Sequence, residues 1–279
     1  MTGYIFDNAA EGPTARRFAG LEALYDPRTQ RALEATGVGP GWHCLEVGAG
    51  GGSVAAWLAD RVGTDGDVLA TDLDPRFLNP LTALDRANTN VEVRRHDIAV
   101  DPLPEDVFDL VHARLVLLHL TTAAAVLARL AAALRPGGWL VIEDFDPTFV
   151  DRAFPVADPV DAAVTHRVFG ALGEMLEARG AGHGWARGLH RRVADTGLVD
   201  IVVEGHLEIR TGGSPGARVD SANLEQTGPT LVAAGQLDAA DFNRGLALLG
   251  DPGFAYASPM MFTVRARRPS EAMPETDRG

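Results

Sequence analysis

The sequence predicts an α/β protein built on a doubly wound, mostly parallel sheet, and three observations carry that reading. From Trp42 to Asp144 short apolar runs alternate with helix-like segments, the pattern of strands joined by crossover helices. The stretch Val38–Gly52, VGPGWHCLEVGAGGG, reads as a turn, a short buried strand ending in an acid, and a glycine-dense loop that opens onto Ser53–Arg61 as a helix. The polar residues with the most chemistry to offer fall at the carboxyl ends of the expected strands, where sheets of this kind bind ligands.

Taken in order, Thr14–Tyr25 spaces Phe18, Leu21 and Leu24 as one face of a helix. Asp26 and Pro27 then read as the cap and first position of a second helix ending near Leu33. Strands are expected at 42–47, 67–72, 90–95, 107–112 and 138–144, with helices at 52–62, 76–84 and 121–134. Beyond Asp146 the regularity fails. Pro147, Pro155 and Pro159 break the chain, Val160–Arg179 reads as one helix, and Gly180–Trp185 as a glycine-rich loop. A helix at Leu189–Thr196, a strand at Val199–Ile209, a turn at Gly212–Gly216, helices at Ala222–Ala234 and Ala239–Leu249, and a last strand at Met260–Ala266 complete the pattern. The expected organisation is an N-terminal helical lid over 1–35, a ligand-binding core over 36–146, a helical lid or substrate insertion over 147–190, the rest of the core with its own helical insertion over 191–268, and a disordered tail over 269–279.

Glycines at 48, 50, 51 and 52 allow positive φ and leave no Cβ to block a ligand, and the loop delivers free amides to a helix N-terminus. Glu46 sits just before them. A carboxylate there would repel a pyrophosphate but suits a ligand carrying an ammonium and a sulfonium, which points to S-adenosylmethionine. Five segments share one resemblance: Leu45-Glu-Val-Gly-Ala-Gly-Gly-Gly52, Val68–Pro75, Val91–Ile98, Phe108–His119 and Leu134–Glu143 resemble, in the expected order, the landmarks of the class I S-adenosylmethionine-dependent methyltransferases, small-molecule type. The resemblance covers roughly residues 38 to 146. It implies a Rossmann-like, seven-stranded sheet, mostly parallel with the last strand antiparallel, and helical lid segments or insertions around it.

It also implies roles. Gly48, Ala49, Gly50 and Gly52 bring the backbone to the methionine and ribose of the cofactor, and Glu46 favours its ammonium end or orients the loop. Asp72 accepts the ribose hydroxyls and Leu73 packs on the adenine. Asp97 accepts the adenine amino hydrogen while the Ile98 amide donates to the ring; a plain loop carboxylate is the other reading of Asp97. Ala113 offers a carbonyl to the ammonium, and Arg114 either touches the cofactor or pairs with an acid. His119, Asp144 and His183 are the candidate catalytic groups, beside a wider set of His112, Glu143, His166 and His190, and His119 among leucines reads more often as a packing residue. No metal site is expected.

Composition narrows the function classes. Of 279 residues, 46% are hydrophobic and 23% charged, ordinary for a globular chain. No apolar run approaches the roughly 20 residues of a membrane helix, and the N-terminus lacks a signal-peptide pattern. With one cysteine, Cys44, no internal disulfide can form, so a cytoplasmic protein is expected. The net charge of 25 − 38 = −13 argues against nucleic acid, leaving a small-molecule methyl acceptor as the expected partner, with a homodimer compatible. A nicotinamide-dependent oxidoreductase fits worse, because G-x-G-x-x-G would place glycine where Ser53 stands. A non-methylating relative that keeps the cofactor, a cyclase for example, would preserve every landmark.

Overall fold

A computed structural model describes residues 11–78, 90–146, 159–180, 182 and 184–270. Its elements, in order, are α1 (Glu11–Glu34), β1 (His43–Val47), α2 (Ser53–Val62), β2 (Asp67–Asp72), β3 (Val91–Arg95), β4 (Phe108–Arg114), α3 (Ala123–Ala133), β5 (Leu134–Asp146), α4 (Pro159–Arg179), α5 (Leu189–Ala194), β6 (Val199–His206), β7 (Ile209–Thr211), α6 (Pro215–Ala233), α7 (Ala239–Gly250), β8 (Ala255–Ala257) and β9 (Met260–Arg267). The main sheet has seven strands in the order β3-β2-β1-β4-β5-β9-β6. β1 to β5 pair in parallel, and β9 runs antiparallel between β5 and β6. This is the expected Rossmann-like sheet, with its last strand inserted antiparallel. The order reverses at β1–β4, so the ligand crevice is set at the carboxyl ends of those strands.

Strand alternation divides the core into two faces. Leu45, Val47, Val111, Ala113, Leu140 and Ile142 point to the side covered by α3 and α5. Cys44, Val68, Ala70, Leu110 and Val141 point to the side of α2 and the end of α1. A third cluster joins α4, α6 and α7 through Val168, Leu224, Leu248 and the fully buried Tyr256. Among the described residues no helix is long and apolar enough to cross a membrane.

Five expectations change. Asp26-Pro27 does not start a second helix: α1 is continuous from Glu11 to Glu34 with Pro27 inside it. Pro27 lacks the N–H that would bond the Ala23 carbonyl, and both residues are exposed, so that carbonyl is open to solvent. Asp26 turns instead to Arg114. The supposed turn at 212–216 already contains the start of α6, with Ser214 as cap accepting the Ala217 N–H at 3.3 Å and Pro215 in the first turn. The strand expected to reach Ile209 ends at His206, and Ile209–Thr211 pairs separately with Ala255–Ala257. β5 begins at Leu134, earlier than expected, because Leu134 pairs with Phe108 ahead of an irregularity in the β4–β5 register. The helix expected over 76–84 is seen as a 3-10 turn at Pro75–Leu78, and the rest of it lies outside the described residues, as do 147–158 and the N-terminal Tyr4 and Phe6.

Candidate functional site

The loop after β1 has the conformation its glycines require. Gly48, Gly50 and Gly52 have φ of 67°, 57° and 90°, and Ala49 between them donates its N–H to the Thr71 carbonyl at 2.9 Å. A Cβ on Gly48 would lie 2.4 Å from a methyl of Val116, and one on Gly50 3.3 Å from the Phe18 ring of α1. Asp72, at the end of β2, accepts the Gly50 N–H and the Asp74 N–H, each at 2.9 Å. Its carboxyl is raised by burial, and those amides offset part of the rise. Leu73 follows it, half-buried. Asp74 holds Arg76 through both carboxylate oxygens rather than lining the crevice.

Asp97 lies half-buried after β3, accepts the Ala99 N–H at 3.0 Å, and has its own N–H held by Asp101. Ile98 is buried, with its carbonyl taken by Arg129. After β4, Ala113 is buried and Leu115 takes a positive φ of 56°, uncommon outside glycine. Leu115 was not legible as special from sequence.

Beneath the loop, three ionisable side chains share one layer. Parallel register sets Glu46 beside His112 and Arg114 beside Glu143. His112 Nδ1 is 2.6 Å from Glu46 Oε2 and its Nε2 is 3.4 Å from Glu143 Oε2. Thr29 of α1 donates to Glu143 Oε2 at 2.5 Å, and Thr263 of β9 donates to Oε1 at 2.8 Å. Glu46, His112 and Glu143 are 3%, 0% and 2% exposed, so the network is sealed from water. Burial alone would lower the His112 pKa; the two carboxylates outweigh it and hold it up at about 9. Burial would raise Glu143, and the hydrogen bond and charge of His112 bring it below its ordinary value. An imidazolium between two carboxylates carries one net negative charge. Glu46 is therefore one member of a buried pair. Arg114 takes the ion-pair alternative: its Nη1 donates to Asp26 and to Thr29 Oγ1, both at 2.9 Å.

The candidate catalytic groups do not converge. His119 ends a 3-10 turn after β4, is 8% exposed, and is pushed down to about 3 by burial and by Arg17, so it is neutral and a weak base. Asp144 points to the opposite face from Glu143, is fully buried, and accepts the Trp185 Nε1–H at 2.8 Å. Burial raises its pKa to about 7, yet the indole and the apolar cluster around it close it off from an incoming acceptor. This overturns the expectation that β5 supplies an accessible base. His183 lies outside the described residues. Among the described residues no group of three or more His, Cys, Asp or Glu could hold a metal. A cavity of about 410 Å³, lined by Trp42, Asp109, Arg135, Trp139 and Arg267 among others, lies at the amino-terminal edge of the strands, away from the loop.

Sequence reasoning missed Thr29, Thr263 and Glu22. One signal was available: Phe18, Glu22, Asp26, Thr29 and Leu33 recur at helical spacing, a polar stripe within a face that otherwise packs inward.

Comparison with known proteins agrees with this geometry. A family described as "Methyltransferase domain" matches residues 45–142. Methyltransferase str2 of Strobilurus tenacellus is 41% identical over 105 residues, 37% of this chain and 35% of that protein. Nocamycin O-methyltransferase of Saccharothrix syringae is 29% identical over 204 residues, 62% of this chain and 73% of that one. In fold, phosphoethanolamine N-methyltransferase 2 of Haemonchus contortus, solved with S-adenosyl-L-methionine, superposes with a TM-score of 0.58 at 15% identity, covering 90% of this chain and 56% of that one. The matched segment spans about a third of the length of the first curated relatives, 35% in each of two. With its glycine loop, sheet order and matched segment in agreement, residues 45–142 form a methyltransferase domain of the class I S-adenosylmethionine-dependent type.

Proposed function

We propose that the protein transfers a methyl group from S-adenosylmethionine to a small-molecule acceptor of biosynthetic or secondary metabolism. The observation that carries this is the pairing of a glycine cradle with a net-negative floor. The positive-φ loop at Gly48–Gly52 lies over the Glu46–His112–Glu143 layer, a setting suited to a ligand whose reacting end is positively charged. When bound, the cofactor supplies a methyl group on a sulfonium that is already a good leaving group. The chain's own contribution is then binding, alignment and exclusion of water. Gly48, Ala49, Gly50 and Gly52 shape the cradle, Asp72 offers its carboxylate to the ribose hydroxyls, and Leu73, Asp97 and the Ile98 amide frame the adenine. No accessible side-chain base is assigned, which favours acceptors that are already nucleophilic or lose a proton readily. A hydroxyl of a natural product is the first acceptor to test, because the match to nocamycin O-methyltransferase runs well beyond the core. The acidic balance of −13 supports neutral or cationic acceptors over nucleic acid, and the single, buried Cys44 supports a cytoplasmic setting.

Calorimetry tests the cofactor: S-adenosylmethionine and S-adenosylhomocysteine should bind, and NAD weakly or not at all. Incubation with methyl-labelled cofactor and a panel of phenols, enols and amines tests the transfer. Tight cofactor binding without label transfer to any of them would favour a non-methylating role, and NAD binding in preference would overturn the cofactor.

A further inference from the structure

One carboxylate beside the loop is left over by these pairings. Glu22 projects from α1 onto the glycine loop, where a Cβ on Gly51 would lie 2.0 Å from its Oε1 and 3.0 Å from its Cδ. Gly51 is the one loop glycine without positive φ, so its backbone conformation does not require glycine; the space it leaves is filled by Glu22. Ser53, at the start of α2, donates to Glu22 from its N–H and its hydroxyl. Oε1 is buried and has no hydrogen-bond partner. The nearby cation is committed elsewhere, since Arg114 binds Asp26 and Thr29. Asp26 adds a second negative charge, and burial together with Asp26 pushes the Glu22 carboxyl up. An orphaned, buried carboxylate oxygen costs free energy unless a donor or cation meets it. Glu46, the acid that sequence alone puts forward for a ligand's ammonium, already has its cation in His112.

We propose that Glu22, carried by α1, receives the α-ammonium group of S-adenosylmethionine, and that residue 51 is glycine to admit that side chain. The inference rests on the cofactor assignment above. It makes α1 part of the cofactor site rather than a cover alone, and it moves the ammonium contact from the strand end to a helix outside the matched segment.

The test is calorimetric, on the full chain, with four ligands: S-adenosylmethionine, S-adenosylhomocysteine, the deamino analogue of S-adenosylhomocysteine, and 5′-methylthioadenosine. Glu22→Gln keeps the shape and an acceptor for Ser53 but removes the charge. The two ligands with an amino group should weaken alike, by about tenfold or more, while the two without it bind as to the parent protein. Gly51→Ala should reproduce the loss, because its Cβ displaces the end of a flexible side chain, and the double variant should be no weaker than the singles. Loss confined to S-adenosylmethionine would mean that Glu22 reads the sulfonium instead. Equal loss for all four ligands, or no loss, overturns the proposal. Failure of the parent protein to bind any of the four overturns the cofactor assignment and this proposal with it.

Discussion

Glu143 and Asp144 are consecutive on β5, 2% and 0% exposed, and their pKa values move in opposite directions. Glu143 faces α1 and meets His112, Thr29 and Thr263, so its carboxyl is held below the ordinary range. Asp144 faces the apolar side and meets the Trp185 indole, so burial raises it to about 7. Burial alone does not decide ionisation; the partners on each face do. The α1 face of the sheet's carboxyl end holds a buried charged layer, and the opposite face is an apolar wall holding a carboxyl that gives up its proton only near neutrality.

The largest effect that could break this contrast is on stability. His112→Leu removes the cation shared by two buried carboxylates, and breaking a buried pair in this way costs about 3–5 kcal/mol. Asp144→Asn keeps an acceptor for the indole and removes a group that is costly to ionise, so it should not destabilise the protein at pH 7. Urea denaturation of both variants checks the order. A greater loss for Asp144→Asn would reverse the contrast.

The second prediction concerns binding. Gly50→Val forces a branched residue into φ 57° against the Phe18 ring and should abolish cofactor binding with the core still folded. Asp72→Ala should weaken it about tenfold or more, through loss of a charged acceptor and of the Gly50 brace. Asp97→Ala should cost less, since it removes one bond to a neutral amine, and Asp144→Asn should leave the Kd unchanged. Calorimetry with S-adenosylhomocysteine measures all four. A clear loss in Asp144→Asn would place ligand on the apolar face.

How much of this was legible follows from how local each feature is. The β1–loop–α2 unit was readable because strand, glycines and helix are contiguous, and the positive φ values fall on three of its glycines. The mostly parallel seven-stranded sheet with its last strand antiparallel followed from the resemblance of five ordered landmarks. The charged layer was not readable, because Glu46 and His112 are 66 residues apart and Thr29 and Glu143 are 114 apart, and only register brings them together. His112 was in view as a base, but nothing local showed that two carboxylates would hold its proton. α1 was misread where Pro27 imitates a helix start, although tertiary bonds at Asp26 and Thr29 carry the helix through it. The third cluster, around Tyr256, combines helices whose sequences carry no shared motif.

The pH dependence separates the faces without any ligand. Asp144 has a folded pKa raised from 3.8 to about 7, so its contribution to stability is full below pH 4 and is lost as pH rises through 7. His112 is raised from 6.5 to about 9, so its contribution is full below 6.5 and is lost as pH rises through 9. Glu143 is lowered from 4.5, so its contribution is present above 4.5 and is lost as pH falls through its folded value. Stability should therefore decline in two stages above pH 4. Asp144→Asn should flatten the first stage and leave the second. Urea midpoints from pH 4 to 10 check this, and a single decline unaffected by Asp144→Asn would remove Asp144 from the account.

The smallest effect isolates one hydrogen bond on the apolar face. Trp185→Phe keeps an aromatic ring in the wall and beneath Arg192, whose guanidinium lies 4.8 Å from the indole centroid, but removes the N–H that reaches Asp144. That bond lowers the Asp144 pKa, opposing burial, so its loss should raise the pKa further. Below about 7 Asp144 is protonated in both proteins, and the variant should lose only about 1 kcal/mol, the net worth of one hydrogen bond. Above it the ionised carboxylate has no indole to meet it, so the deficit should widen as pH rises from 5 to 8. Paired urea melts at those two values measure the widening. A deficit equal at both would mean that the indole packs against Asp144 without governing its charge, and the apolar face would then owe its character to burial alone.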